Sequence, residues 1–449
     1  MLTAKSIRRL QVLLALNKYL TLRPFPLVAV LAVMLLALRW IPITPIIAYA
    51  AVFISASLLY WVVCWQSLHA EASTQGLVPI LLLLFLLRMS FLGMEPLGSD
   101  DVYRYMWDGR VQTAGINPYR YAPNDEALGD LHTTRLPWLV NHPEMKTIYF
   151  PLNQWLFYLG YNLSGENVWG FQLLILLAEA LTVIGLLLLM RELSFSPWRV
   201  LIYAANPLVI LQFSLDAHVD AFGFPFLVFA FLLYHRKKTT LSLLLLGLSL
   251  LIKPVAFVIL PILFLHEHGF VNRAKVALLP LAVLLIPFIP YAFGANPFEA
   301  LTTFSKHWFF NGALFSVLFP LFSDNQTTRL WCFAFLATAL LILYLSKKSL
   351  HEKTVLALLL LFLCSPVVHA WYLGWLIVLL PLAPFASGLA LAGTASLTSI
   401  TFVTYQLQGI WKVYPIVLVL EYVPVVALLL YNLLKKKNTP FAGTTQVDP

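Results

Sequence analysis

Two adjacent aspartates, Asp100 and Asp101, head the stretch of the chain richest in chemically useful side chains: Gly98-Ser99-Asp100-Asp101-Val102-Tyr103-Arg104-Tyr105-Met106-Trp107-Asp108-Gly109-Arg110. An ionised carboxylate can take the proton of a hydroxyl nucleophile, so the pair suits general-base catalysis. Ser99 is placed to N-cap a helix whose first turn carries both acids, where the helix dipole favours the charged form. Arg104 follows one turn later, within reach of either acid. A capped interfacial helix with Asp100 paired to Arg104 accounts for the same spacing without chemistry. What favours chemistry is position: the pair follows directly on an apolar run, where a lipid-borne substrate presents its head group. Adjacent helical residues point ~100° apart, so only one of the two should face a cavity, and the spacing does not say which. A second group, Asp216-x-His218-x-Asp220, has metal-ligand residue types. Its i, i+2, i+4 spacing is not one helical face and no third His or Cys lies nearby, so it reads as a polar lip hydrogen-bonded to the aspartate-bearing helix.

The elements that must position these groups are membrane helices. The chain has 449 residues, 60% apolar and 11% charged, with mean hydropathy +0.83. Ordinary soluble domains are about 45–50% apolar and about 25% charged, so a water-soluble enzyme, a disordered chain and a nucleic-acid binder are excluded. Long unbroken apolar runs rather than period-2 alternation exclude a β-barrel. Candidate spans are 25–40, 43–64, 77–93, 168–190, 198–214, 221–235, 239–265, 275–293, 329–346, 354–368, 371–385, 388–407 and 414–434. The expectation is a single all-α membrane domain over 1–449, with about 12 to 14 transmembrane or half-membrane helices. Its first apolar run anchors the chain rather than serving as a cleaved signal. The three cysteines, Cys64, Cys332 and Cys364, are scattered through apolar stretches and suit neither a disulfide framework nor a metal site.

The long interruption after the third span holds eight of the chain's twenty acids (Glu95, Asp100, Asp101, Asp108, Asp125, Glu126, Asp130, Glu144) against five Lys and Arg, in a protein of net charge +9. By the positive-inside rule, Lys5, Arg8, Arg9, Lys18 and Arg23 hold the N-terminus in the cytoplasm and place this loop outside. Residues 148–164 read as interfacial, since a full crossing there would push Arg236-Lys237-Lys238 out. Lys253-Pro254 splits 239–265. A hairpin of two half-helices with Lys253 at its apex keeps Arg273 and Lys275 inside, whereas a single tilted span would not. In this topology 94–165 is an extracytoplasmic catalytic loop with interfacial helices, and both termini and Lys347-Lys348 are cytoplasmic.

Ser-Asp-Asp-x-Tyr-Arg-Tyr-x-Trp-Asp-Gly-Arg followed by Ala114-Gly115-Ile116-Asn117-Pro118-Tyr119 resembles the bacterial polytopic mannosyltransferase-like members of the GT-C glycosyltransferase superfamily. Further matches follow in order: Asn141-His142-Pro143-Glu144 with Thr147-Ile148-Tyr149-Phe150-Pro151-Leu152, then Asn206-Pro207-Leu208, His218-Val219-Asp220-Ala221, Leu251-Ile252-Lys253-Pro254, Lys306-His307-Trp308 and Ser365-Pro366-Val367-Val368-His369-Ala370-Trp371-Tyr372. Phe150 stands where a Pro is more usual.

The resemblance implies a membrane glycosyltransferase that takes a hexose, mannose by resemblance, from a polyprenyl-phosphate sugar and passes it to a glycolipid or glycan acceptor, with inversion. Asp100 or Asp101 would be the base, and cations would hold the departing phosphate. Lys253 is the first candidate cation, with pairing to the mid-span Glu179 or snorkelling as the alternatives; Arg104 and Arg110 follow, while Arg88 reads as a snorkelling residue. His218, Asp220, His307, His369, Trp371 and Tyr372 are candidate sugar or phosphate contacts, although interfacial aromatics also serve simply as anchors. No metal or other cofactor is expected, and the setting implied is the cytoplasmic (inner) membrane. The rival reading is a transporter or flippase of a polyprenyl-linked or polar lipid, in which intramembrane charges mark a path and the aspartates are dispensable.

Overall fold

The computed structural model describes residues 24–40, 45–70 and 75–434, and it is helical nearly throughout. Among these residues six helices are long and apolar enough to cross a membrane: Pro45–His69, Trp169–Glu192, Phe270–Ala292, Asn325–Leu345, Ala386–Gln408 and Pro415–Leu434. A bent pair, Pro197–Ala204 with Pro207–Leu215, makes a seventh candidate, and six shorter apolar helices of 10–17 residues accompany them. The expected all-α polytopic architecture is therefore present. The basic cluster Lys5 to Arg23, from which the expected orientation starts, lies outside the described residues.

Two expected spans differ, and one apolar helix falls outside the expected set. The 198–214 run bends by 52° where Pro207 ends one helix, and the Asn206 side chain accepts from the Leu208 and Val209 N–H groups to start the next. Residues 371–385 are not a continuous span but short helical turns whose apolar side chains are nearly all buried. Irregular backbone at membrane depth is tolerated where protein surrounds it, and an apolar run of this length has the composition of either form. Conversely, Ala313–Phe322 is an apolar helix where no span was expected.

The 239–265 run folds as the hairpin. Thr239–Ile252 climbs to Lys253, which is extended (φ −156°, ψ 134°) as a residue before proline should be, and the chain returns through Pro254–His266. The two ends meet: Tyr234 Oη lies 2.9 Å from His266 Nδ1, and Lys237, Lys238, Asn272 and Lys275 line one hollow at that end. At the apex the Ile252 carbonyl accepts a 2.8 Å hydrogen bond from Asn153 Nδ2. Asn153 belongs to Pro151–Ser164, whose 14 residues are fewer than the ~20 a crossing needs. That helix buries Asn153, Gln154, Phe157 and Gly160 and exposes Trp155, Tyr158, Leu159 and Leu163, the pattern of an interfacial element. It packs on the Asp101–Thr113 helix through a close approach at Gly109, where an added Cβ would meet the Phe157 carbonyl at 2.4 Å. The polar loop and the hairpin apex thus share one end of the bundle.

Candidate active site

The aspartate helix runs Asp101–Thr113, with Asp100 at the N-cap. Ser99 is not the expected N-cap: the helix starts one residue later, so only Asp101 lies in its first turn, and the Ser99 hydroxyl accepts from the Asp101 N–H at 3.2 Å while Asp100 makes no side-chain cap bond. Both carboxylates are therefore left to other partners. The Asn141 amide donates to Asp100 Oδ1 at 2.9 Å and to Asp101 Oδ1 at 2.8 Å, clamping the pair across 40 residues of chain. His218 Nδ1 lies 3.5 Å from Asp101 Oδ2, and the Tyr149 hydroxyl donates to the same oxygen at 3.5 Å.

These neighbours separate the two acids. Burial and the adjacent Asp101 charge push Asp100 up to about 6, against the pull of the Asn141 hydrogen bond. Burial acts the same way on Asp101, but there the His218 contact and the Asn141 bond outweigh it and bring the carboxyl down to about 2. Their surroundings differ as well. Lys253, His369 and Tyr372 lie in the field of Asp101, whereas Tyr405 lies in that of Asp100. Asp101 is the inward member of the pair.

The approach to the aspartates is held by Asp216. Its carboxylate accepts from the Leu97 and Gly98 N–H groups, both at 2.9 Å, and from the Tyr49 hydroxyl at 2.6 Å. A Cβ on Gly98 would lie 2.6 Å from both Asp216 Oδ2 and Tyr49 Oη, and neither is a free side-chain end that can swing aside. Gly98→Ala should therefore cost about 1–3 kcal/mol of stability by overpacking, read as a lowered unfolding temperature of the purified protein. Asp216, His218 and Asp220 do not converge; each reaches a different partner, as a polar lip does. Ala217 makes this divergence possible by adopting φ 61° between the first two.

Lys253 pairs with Asp220, not Glu179. Its Nζ lies 2.9 Å from Asp220 Oδ1, which also accepts from Trp375 Nε1 at 2.7 Å, and the ammonium packs 3.4 Å from the centre of the Tyr372 ring. Glu179 is taken by Arg88 at 2.7 Å and by the Tyr203 hydroxyl. Arg88 is accordingly buried in an ion pair rather than snorkelling. Arg104 turns away from the aspartates as well, bonding Asp108 at 3.0 Å and the Met145 carbonyl at 2.9 Å, while Arg110 pairs with Glu166 at 3.1 Å. The anticipated Asp100–Arg104 pair does not form.

Of the remaining candidates, His218, His369, Trp371 and Tyr372 come together. The Trp371 ring stacks with His218 at 3.8 Å and with His369 at 4.3 Å, and Tyr372 meets His369 edge-on at 5.3 Å. Both imidazoles are buried, and neither His218 Nε2 nor His369 Nδ1 has a hydrogen-bond partner. His307 is exposed at the end of Glu299–His307 and joins none of these groups. Asn141 was visible only as part of a motif. Its bridging role follows from the fold, since nothing in local spacing ties it to residues 40 positions earlier.

A clamped, unequal carboxylate pair in the long polar loop of a polytopic helical protein, on the same side of the bundle as a lysine at the apex of a helical hairpin, defines the class as a polytopic membrane protein with a buried polar cluster at one end. Residues 21–268 match the family model described as alpha-(1->6)-mannopyranosyltransferase, N-terminal domain, more than half of the chain. The chain belongs to that glycosyltransferase family. No curated protein matches it. Among solved structures it is similar to ArnT from Cupriavidus metallidurans bound to undecaprenyl phosphate, at 16% identity and TM-score 0.45, covering 74% of this chain and 64% of that one. The chain thus matches less than two-thirds of that protein's length.

Proposed function

We propose that the protein transfers mannose from a polyprenyl-phosphate donor to a mannose-containing glycolipid or glycan acceptor on the extracytoplasmic face of the inner membrane. The observation that carries this reading is that one cluster links the Asp101 carboxylate, through His218, Trp371 and His369, to Tyr372 and the Lys253 ammonium packed on its ring, with the hairpin bringing the cation to the level of the loop. A lipid phosphate entering from the bilayer reaches the lysine, and a hydroxylated acceptor reaches the aspartate. The acceptor oxygen attacks the anomeric carbon as the bond from that carbon to the phosphate oxygen breaks. The bonding pair leaves with the phosphate, whose charge Lys253 offsets, and the hydroxyl proton passes to Asp101. In-line displacement inverts the anomeric centre. Phosphate needs no general acid, and no metal is required in this scheme. Asp220 and Trp375 orient the lysine, Asn141 and His218 the base, and Trp371, Tyr372 and His369 border the sugar.

The test is incubation of the purified protein with a β-linked polyprenyl-phosphate mannose and α-1,6-mannotriose, with and without EDTA. A new α-linked mannose, formed equally in both, is expected. A β-linked product, or loss of product in EDTA, contradicts the mechanism, and transport of the donor without transfer favours the flippase reading.

The two aspartates set the pH dependence. Asp101, held down to about 2, stays ionised throughout the working range. Asp100, pushed up to about 6, loses its charge on mild acidification. An ionised neighbour raises the basicity of Asp101 by repulsion, so protonating Asp100 weakens the base without abolishing it. The rate should fall as pH drops through about 6 to a lower plateau, not to zero. Asp100→Asn should remove this step and run at the plateau; a wild-type rate that falls to zero there would assign the base to Asp100.

A further inference from the structure

The C-terminal third of the chain builds an aromatic face beside the aspartates that the scheme above leaves unused. Trp411, 43% exposed, meets Phe310 at 4.9 Å, Phe402 at 5.8 Å and the edge of Tyr405 at 5.2 Å. Phe310 stacks on His369 at 4.7 Å, which continues through Trp371 and His218 to Asp101. Tyr405, 40% exposed, lies in the field of Asp100, and the next residue, Gln406, donates to the Leu97 carbonyl at 2.7 Å. The exposed rings are thus tied to the segment that leads into the aspartates.

This face is rigidly scaffolded. The Phe310 N–H donates to the Pro366 carbonyl at 2.9 Å, and the Val368 N–H to the Phe310 carbonyl at 2.8 Å, locking Phe310 against the His369 segment. Asn311, at φ 51°, donates to both oxygens of the fully buried Glu421 at 3.2 and 3.1 Å, while the Tyr422 hydroxyl donates to the Asn311 carbonyl at 2.7 Å. The Thr401 hydroxyl holds the Lys412 carbonyl at 2.9 Å. An interfacial anchor needs only a ring at head-group depth, not an acid carried into a membrane helix to hold its neighbours in place. Flat rings with a polar border match a pyranose, which offers an apolar C–H face and a rim of hydroxyls. The border includes His369 Nδ1, which is buried and has no hydrogen-bond partner.

We infer that Trp411 and Tyr405 form the acceptor platform, on which the terminal sugar of a mannose-containing glycan stacks with its nucleophilic hydroxyl turned to the aspartate pair. The inference deepens the proposed transferase reading and rests on it for the direction of transfer. The platform lies beyond residues 21–268, whereas the proposed base and the lysine lie within them.

The experiment measures KM for α-1,6-mannotriose and for polyprenyl-phosphate mannose in wild type, Trp411→Ala, Trp411→Phe and Tyr405→Phe, together with calorimetric binding of mannotriose in the absence of donor. Trp411→Ala should raise the acceptor KM about tenfold or more with donor KM within about twofold, and weaken mannotriose binding by the same factor. Trp411→Phe should recover most of both, which excludes misfolding as the cause. Tyr405→Phe keeps the ring and should change acceptor KM by less than about threefold. An unchanged acceptor KM in Trp411→Ala, an equal rise in donor KM, or no mannotriose binding by wild type overturns the platform. Trp411-dependent binding without any transfer by wild type retains the platform and overturns the transferase; transfer indifferent to Trp411 does the reverse.

Discussion

Replacing Asp101 by Asn should lower kcat by about 10²–10⁴-fold, the usual contribution of a positioned general base, while Asp100→Asn costs about tenfold. The two acids are adjacent, share one Asn141 clamp and differ chiefly in what faces them. Asp101 looks inward to Lys253, His369 and Tyr372, with His218 at 3.5 Å. Asp100 looks to Tyr405, and when ionised it is an adjacent like charge, which raises the basicity of its neighbour. Asparagine preserves shape and can still accept from the Asn141 amide, so the loss in Asp101→Asn reports proton acceptance rather than collapse of the loop. A donor KM unchanged alongside the fall in kcat would confirm that the lost interaction acts in the transition state. Equal losses in the two single variants would contradict the division of roles.

Arg88→Leu should destabilise the protein by about 3–5 kcal/mol, the cost of leaving one partner of a buried ion pair uncompensated. Arg88 and Glu179 are almost wholly buried; the guanidinium bonds Glu179 at 2.7 Å and the Ala204 carbonyl at 2.9 Å. Ala204 is the last residue before the bend that precedes Asn206, so the pair also satisfies backbone that the bend leaves open. Removing the arginine leaves the Glu179 carboxylate buried with the Tyr203 hydroxyl but no countercharge, and takes the side-chain donor from that carbonyl. The Arg88→Leu/Glu179→Leu double variant should regain most of the loss, because no charge is then left buried alone. Thermal unfolding in detergent measures both, and a single variant as stable as wild type would show that the pair contributes nothing.

Most of the helical framework was legible, because membrane helices announce themselves as apolar runs of fixed length. Residues 371–385 were not, since a buried irregular segment and a helix have the same composition and differ only in the surrounding protein. The aspartate pair, its position and the lysine apex were also legible, but the pairing of charges was not. Arg104 stands four residues from both Asp100 and Asp108, and spacing weighs them equally; the Met145 carbonyl, 41 residues away, completes the choice of Asp108. Lys253 likewise had Glu179 as an eligible buried acid until the fold gave that carboxylate to Arg88 and Tyr203. Asn141 belongs to a recognisable motif, yet its bridging of the two aspartates depends on a loop closure that no local pattern encodes. His307 shows the converse: a histidine beside a tryptophan at a helix end has the residue types of the cluster, but the fold leaves it exposed and apart from His218, His369 and Trp371.

The proposal at stake is sugar transfer from a lipid phosphate by the aspartates of the long polar loop. Its most direct test is the transfer of radiolabel from polyprenyl-phosphate mannose to α-1,6-mannotriose by the purified wild type and by the Asp100→Asn/Asp101→Asn double variant, both confirmed as folded. Label passing to the acceptor with wild type, and falling to background with the double variant, is the predicted result. Undiminished transfer by the double variant, or none by the wild type, would contradict the account.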